Sequence, residues 1–402
     1  MRISTSLLYQ AGTDAIGRTE SDLLRTQQQI ATGRRMQSPG DDPVASAQAL
    51  LTRAARAETG RFQDNVARAK DALGFDDSIL GQITDVLQNV RTGAINANNP
   101  ALSDADRRSL AADMASQLEQ LVGLANTRDA NGNYLYAGYQ SGLQPFADHG
   151  SGYAYSGDQG RRTIEVSPDR VMEISESGSS LFEQVRSGNG TFAVAAAAGN
   201  TGTAVIAGGS VANPSALTGH AYALQFSVTG GVTTYDVLDT TAGTTVSTGN
   251  AYTSGTAVTV AGMQVTISGA PASGDALTIA PSAPQSIFTT LKQLIATLQA
   301  PGGSGAASAR LGNGINAGLQ NIDQALEHVL LARSDVGAKL RELDVLADKN
   351  DATGLQQDQT VSRLEDVDYN AALSHFAQQQ TALTAAQKSF LQVTGLSLFQ
   401  YL

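Results

Sequence analysis

Cysteine and tryptophan are absent from the 402 residues, and aromatic side chains make up only 5% of them. Without cysteine the chain has no disulfide, no thiolate nucleophile and no sulfur ligand for a metal. Basic residues are scarce. The 26 Lys and Arg are outnumbered by 37 Asp and Glu, for a net charge of -11 and a pI near 4.8. That balance argues against nucleic acid, whose phosphates need clustered Lys and Arg, and against an anionic membrane surface. Long apolar runs are also missing. The longest, "FAVAAAAG", falls far short of the ~20 residues that span a bilayer. The opening "MRISTSLLYQAGTD" holds one Arg and too short an apolar run for a secretory signal, so a soluble, acidic protein without a cleaved signal peptide is expected.

Charge is missing from one long stretch in particular. No Lys or Arg occurs between Arg186 and Lys292, and from Ser187 to Pro284 the only charged residues are Asp236, Asp239 and Asp275. Gly, Thr, Ser, Ala and Val fill it. Short alternating runs, "YALQFSV", "VTTYDVL", "TAVTV", "MQVTI" and "ALTIA", are separated by Gly, Asn and Pro. This pattern predicts an inserted antiparallel β-domain over 187–284. In its first run Tyr222, Leu224, Phe226 and Val228 share one face.

On both sides of the insert the apolar period becomes helical. Phe62, Val66, Ala69, Leu73, Leu80, Ile83, Leu87, Val90 and Ala94 form one stripe, with a gap near Asp76. Its start is marked by Asp42 as N-cap and Pro43 at the first helical position, where no N–H is needed. A second start lies at Ser103 and Asp106, in capping-box spacing. "YAYSGDQGRRTIEVSPDRVMEIS" reads as hairpins. After the insert, Ile287, Leu291, Leu294 and Leu298 begin helix again, and "PGGSG" interrupts it. Ile315, Leu319, Ile322, Leu326, Val329, Val336, Leu340 and Leu343 form a further stripe, of which Leu326, Val329 and Leu340 are expected to face Leu80, Ile83 or Leu87. The expected fold class is α+β: a long antiparallel helical bundle or coiled coil built from both chain ends, with an inserted antiparallel β-domain. The expected division is 1–40 with 355–402 as a terminal coiled-coil region, 41–186 with 285–354 as a core bundle with β-hairpins, and 187–284 as the insert.

The two ends carry their own pattern. Tyr369, Ala372, Phe376, Gln379, Leu383, Ala386, Phe390 and Val393 are spaced alternately three and four apart, a seam of seven-residue period. Ile16, Leu23 and Ile30 sit seven apart near the start. The last residues add Leu396, Leu398, Phe399, Tyr401 and Leu402. An apolar end of this kind reads either as a terminus docked on its own domain or as an assembly surface. The candidate interface is Ile16, Leu23, Ile30, Tyr369, Ala372, Phe376, Leu383, Ala386, Phe390, Val393, Leu396, Leu398, Phe399 and Leu402.

No reaction chemistry emerges. Asp129, Asn131 and Asn133 occupy the first, third and fifth positions of an EF-hand-like loop, but Tyr134 stands where Gly is needed and Gln140 where Glu is needed, so an Asn-Gly turn is expected. His149, His220, His328 and His375 show no zinc spacing, and His328 and His375 read as helix-surface residues. "APGGSGAASARLGNG" lacks the Lys of a P-loop and reads as a linker. No nucleophile motif is present. No enzyme activity, metal or cofactor is expected.

The segment "ATGRRMQSPGDDPVASAQAL" resembles the N-terminal signature of the flagellin family. "NTRDANGNYLYAGYQSGLQPF" and "ARSDVGAKL" resemble the helical core of that family, and "RLEDVDYNAALSHFAQQQTALTAAQKSFLQVTGLSLFQYL" its C-terminal region. The "SLFQYL" ending is similar to that of the hook-associated members rather than that of filament flagellins. The resemblance covers about residues 1–185 and 285–402, and it implies a structural adaptor of the bacterial flagellum that joins the hook, through the other junction protein, to the flagellin filament. It further implies an extracellular location, export through the flagellar type III channel, a ring of about eleven copies, and an export chaperone bound to the C-terminal region. Two other readings stay open: a filament-forming flagellin, and a secreted adhesin or binding module working through the β-domain.

Overall fold

A computed structural model describes residues 5–150, 152–303 and 305–395. They divide into two compact units, one of residues 1–66 with 345–402 and one of residues 67–344. The helical ends and the central antiparallel β-structure agree with the expected fold class.

The first unit consists of helix. Helix α1 covers Thr5–Thr32, α2 begins at Pro43 and runs to Ala97, α5 covers Gly305–Glu365, and α6 covers Tyr369–Gly395. Asp42 caps α2 by accepting the Ala45 N–H at 3.0 Å. Within this unit Arg56 is paired with Asp358 at 3.0 Å, Arg53 with Glu365 and Gln63 with Asp351, so α2 and α5 run antiparallel. Exposed pairs like these fix register more than they stabilise.

In the second unit α2 and α5 continue antiparallel, tied by Lys70–Asp344, Arg333–Asp77 and Arg91–Asp323. Two further helices join them, α3 (Asp104–Ala125) and α4 (Ile287–Gln299). Ser103 and Asp106 form the expected capping box on α3. The whole α2 stripe from Phe62 to Ala94 is buried. On α5 the buried line runs through Ile315, Ile322, Ala325, Val329, Val336 and Leu343, while Leu319, Leu326 and Leu340 are only half-buried. The seven-residue repeat from Ile315 to Leu343 sets the seam, and those three leucines flank it.

Between α3 and the insert lie two hairpins, β1 (Phe146–Asp148) with β2 (Tyr153–Tyr155) and β3 (Thr163–Ser167) with β4 (Arg170–Glu173). A single π-helical turn follows at Ser179–Glu183. His328 on α5 is half-buried there, its Nε2 lying 2.9 Å from the Ser180 carbonyl, so it is a tie to this turn rather than a plain surface residue. Phe146, Phe182 and Phe288 form an aromatic cluster beneath, with ring centroids 5.0 to 5.5 Å apart. The "DANG" segment is the expected turn. Both the Asn131 and Asn133 N–H groups donate to Asp129 Oδ1, which spends that carboxylate oxygen on the chain itself.

The insert opens and closes at one short ladder, β5 (Val185–Arg186) against β15 (Pro284–Gln285). Between them lie β6 (Phe192–Ala196), β7 (Val205–Ile206), β8 (Ser210–Val211), β9 (Tyr222–Thr229), β10 (Val232–Asp239), β11 (Thr244–Ala251), β12 (Ala257–Val260), β13 (Met263–Ser268) and β14 (Ala276–Pro281). One sheet has the order β11-β10-β9-β14-β6 and the other β12-β13-β7, with β8 also on β13. Phe192, Leu224, Phe226, Val237, Val265, Ile267, Leu277 and Ile279 fill the core. Val228 is more exposed than its alternation predicts, because β9 ends there and turns through Gly230 and Gly231 beyond the core. The three aspartates are spent on backbone. Asp275 accepts the Thr201, Gly202 and Ala272 N–H groups. Asp239 accepts those of Thr241 and Ala242, and lies 2.7 Å from His220 Nδ1. Asp236 accepts that of Gly249.

The insert is held to α5 by side-chain amides. Asn313 donates to the Ala204 carbonyl and accepts the Ile206 N–H; Asn316 donates to the Ile206 carbonyl; Asn321 accepts the Gly188 N–H at 2.7 Å. Each of these bonds is made to insert backbone.

Candidate assembly interface

The sequence predicts a seam on each terminal helix, and the two seams face each other. On α6, Ala372 is buried and Phe376, Gln379, Leu383, Ala386 and Phe390 are half-buried, while the residues between them are exposed. On α1 the seam runs through Gly12, Ile16, Thr19, Leu23, Thr26 and Ile30, each buried or half-buried, with Gln29 half-buried beside it. Their spacing is four and three, so the sparse seam of Ile16, Leu23 and Ile30 is completed by a glycine and two threonines. Small and polar residues do not register in an apolar pattern, which is why sequence reasoning missed them. Tyr9 packs edge-on against Phe390 at 6.0 Å near one end of the pair, and a Cβ at Gly33 would meet the Tyr369 hydroxyl at 3.0 Å near the other. The helices are therefore antiparallel, with about one turn of α1 matched to one turn of α6 throughout.

Each helix buries only the stripe that faces its partner. Leu7, Leu24 and Leu373 are 63%, 53% and 52% exposed on the outside of the pair, and Tyr369 itself is half exposed. Val393 continues α6, and Leu396, Leu398, Phe399 and Leu402 lie outside the described residues.

Both terminal helices spring from one clasp. The α1–α2 loop and the three residues that break α5 from α6 form an antiparallel bridge between Arg34 and Asp366. Arg35 N–H donates to the Glu365 carbonyl at 2.7 Å, and Val367 N–H to the Gly33 carbonyl at 2.9 Å. Gly33 closes α1 with φ +71°, a conformation that strains any residue with a Cβ. The Arg35 guanidinium donates to the Leu364 carbonyl, and Arg53 pairs with Glu365. Asp41 accepts the Ser38 and Gln37 N–H groups, with Arg25 beside it; those contacts hold its carboxyl below the ordinary range. Asp368 caps α6 through the N–H groups of Asn370 and Ala371. The clasp thus joins "GRRMQSPGDD" to "LEDVDY", two motifs more than 320 residues apart in the chain. Among the described residues no group of acidic and histidine side chains is arranged to hold a metal.

The same two motifs lie inside two family matches. The bacterial flagellin N-terminal helical region matches residues 3–141, and the bacterial flagellin C-terminal helical region matches residues 319–402. The crystal structure of the flagellar junction protein FlgL from Legionella pneumophila is similar at 33% identity, over 79% of this chain and all of that one, with a TM-score of 0.72. The chain belongs to the flagellar hook-associated protein 3 family. Flagellar hook-associated protein 3 of Escherichia coli is 28% identical over the full chain and 99% of that relative. A flagellin of Listeria monocytogenes aligns over only 33% of the chain, at 27% identity. Family membership therefore reaches through the insert, whereas likeness to flagellin is confined to part of the chain.

Proposed function

We propose that the chain is the adaptor joining the hook of the bacterial flagellum to its filament, on the filament side of the junction. The supporting observation is the full-length likeness to hook-associated protein 3, set against a partial likeness to flagellin. In this reading the terminal pair is the assembly element. Ile16, Leu23, Ile30, Ala372, Phe376, Leu383, Ala386 and Phe390 hold the pair together, and the outward Leu7, Leu24, Tyr369 and Leu373 meet neighbouring subunits. Val393, Leu396, Leu398, Phe399 and Leu402 belong to the same proposal.

A lone two-helix layer leaves apolar surface in water, and neighbours in an assembly remove it. Copies of the chain would form a ring of about eleven, between the other junction protein and the first flagellins. Before assembly an export chaperone would cover the C-terminal helix, and the chain would leave the cell unfolded through the flagellar export channel, without a cleaved signal. The β-insert would face outward as a separate module.

A deletion strain tests this. Hooks lacking filaments, with flagellin lost to the medium, are expected. Normal filaments in that strain would overturn the adaptor reading. Growth of the purified chain alone into long filaments would favour the flagellin reading instead.

A further inference from the structure

The apolar stripe of α2 is interrupted at one point, and the residue there is ionisable. Asp76 is fully buried between Leu73 and Leu80. Its Oδ1 accepts the Tyr136 hydroxyl at 2.8 Å, and no protein donor reaches its buried Oδ2. Tyr136 is itself fully buried and anchors the hairpin region. Its carbonyl accepts the Tyr155 hydroxyl and the Gly178 N–H, both at 2.9 Å, and its ring meets Phe182 edge-on. The Asp76–Tyr136 contact is therefore a polar pin between α2 and the segment that carries the two hairpins.

We propose that Asp76 is a soft spot in the helical core, a group whose ionisation makes the core easier to unfold near neutral pH than near pH 5. A carboxyl with one hydrogen bond is a poor fit to an apolar interior in its charged form. The groups facing it do not cancel that cost. Asp77 on α2 and Glu176 before the π-helical turn oppose its charge, and Lys339 on α5 favours it. Lys339 is shared with Asp335, Glu173 and Glu176, Glu176 is also paired with Arg161, and Asp77 is paired with Arg333. Burial pushes the Asp76 carboxyl up to about 6, against the pull of the Tyr136 hydrogen bond. The sign follows from the raised value. The folded state holds the Asp76 proton more tightly than the unfolded state, so stability from this group falls as pH rises from about 4 through 6.

A core that loosens at near-neutral pH suits a chain that must be unfolded to pass a channel. That use rests on the export reading above; the soft spot does not.

Urea unfolding of the full chain and of Asp76→Asn, from about pH 4.5 to pH 8, tests the proposal. The variant keeps the shape but cannot ionise. The ratio of the wild-type to the variant unfolding constant is expected to rise by up to roughly thirtyfold over that range, reaching half its final value near pH 6. A ratio flat with pH would overturn the proposal, whatever its size. Should the variant fail to fold, NMR titration of the Asp76 carboxyl in the wild type decides, and an ordinary carboxylate value would overturn it. Secretion tests the use. Asp76→Asn is expected to leave the cell several-fold more slowly, and equal secretion beside an intact pH effect would overturn the link to export.

Discussion

Gly12 of α1 and Phe390 of α6 face each other so closely that a Cβ on the glycine would lie 2.7 Å from the ring. The glycine lets the second helix seat its aromatic residue, and Tyr9 closes over that ring from one turn earlier. Gly12→Val should displace Phe390 and loosen this end of the pair. Hydrogen exchange would show it as faster exchange from about Thr5 to Ile16, with the helices of the second unit unchanged. Unaltered protection at this end would mean that the contact does not hold the pair.

A charge placed on the seam should separate assembly from folding. Leu383 is half-buried on the α6 seam. Leu383→Asp should leave the thermal unfolding of the second unit nearly unchanged and abolish ring formation, since a charge buried in an assembled interface would lack a partner. Rings of normal size in electron micrographs of the variant would remove Leu383 from the interface.

The core helices allow a graded comparison. Ile322→Ala, at a fully buried seam position, should cost ~2–5 kcal/mol. Leu326→Ala, half-buried on the flank, should cost clearly less. Urea titrations of both variants check the order, and equal losses would mean that the flanking leucines are core after all.

The insert should be separable. Its two ends meet at the β5–β15 ladder, and none of the terminal seam residues lies within it. Replacing Ser187–Pro284 by a short Gly/Ser linker should leave filament attachment detectable in a motility assay. An exported, folded variant that attaches no filament would make the insert part of the joint.

Acid should weaken the hairpin region in the opposite sense to Asp76. Asp158 accepts the Tyr139 and Gly160 N–H groups at 2.9 and 2.7 Å, and these bonds hold its carboxyl below the ordinary range. A lowered folded value means stability that is present above about pH 4 and lost as pH falls through the folded value. Asp158→Asn should flatten the acid limb of the urea midpoint plotted from about pH 5 to pH 3. A variant that loses stability along the wild-type curve would show that other carboxylates carry the acid limb.

The parts legible in the sequence were those that bury a regular face. The α2 stripe, the Asp42 cap and the Ser103–Asp106 box stood where expected. So did β9, β10, β12, β13 and β14, whose alternation is strong. Strand β11, "TTVSTGNA", is an edge strand with little to bury and so gave no alternation. Strand β6 is mostly alanine, which reads equally as helix. Leu326 was misplaced because a stripe read from sequence has no way to tell the seam from its flank. The clasp was invisible for a different reason. Arg34 and Asp366 meet through backbone, and backbone pairing over such a distance leaves no mark on either segment.

The amide row on α5 has a consequence for how such chains diversify. Asn313, Asn316 and Asn321 grip peptide groups of the insert, which every sequence possesses. Substitutions on the insert's exterior therefore leave these anchor points intact. The insert's exposed face can drift while its mounting stays the same.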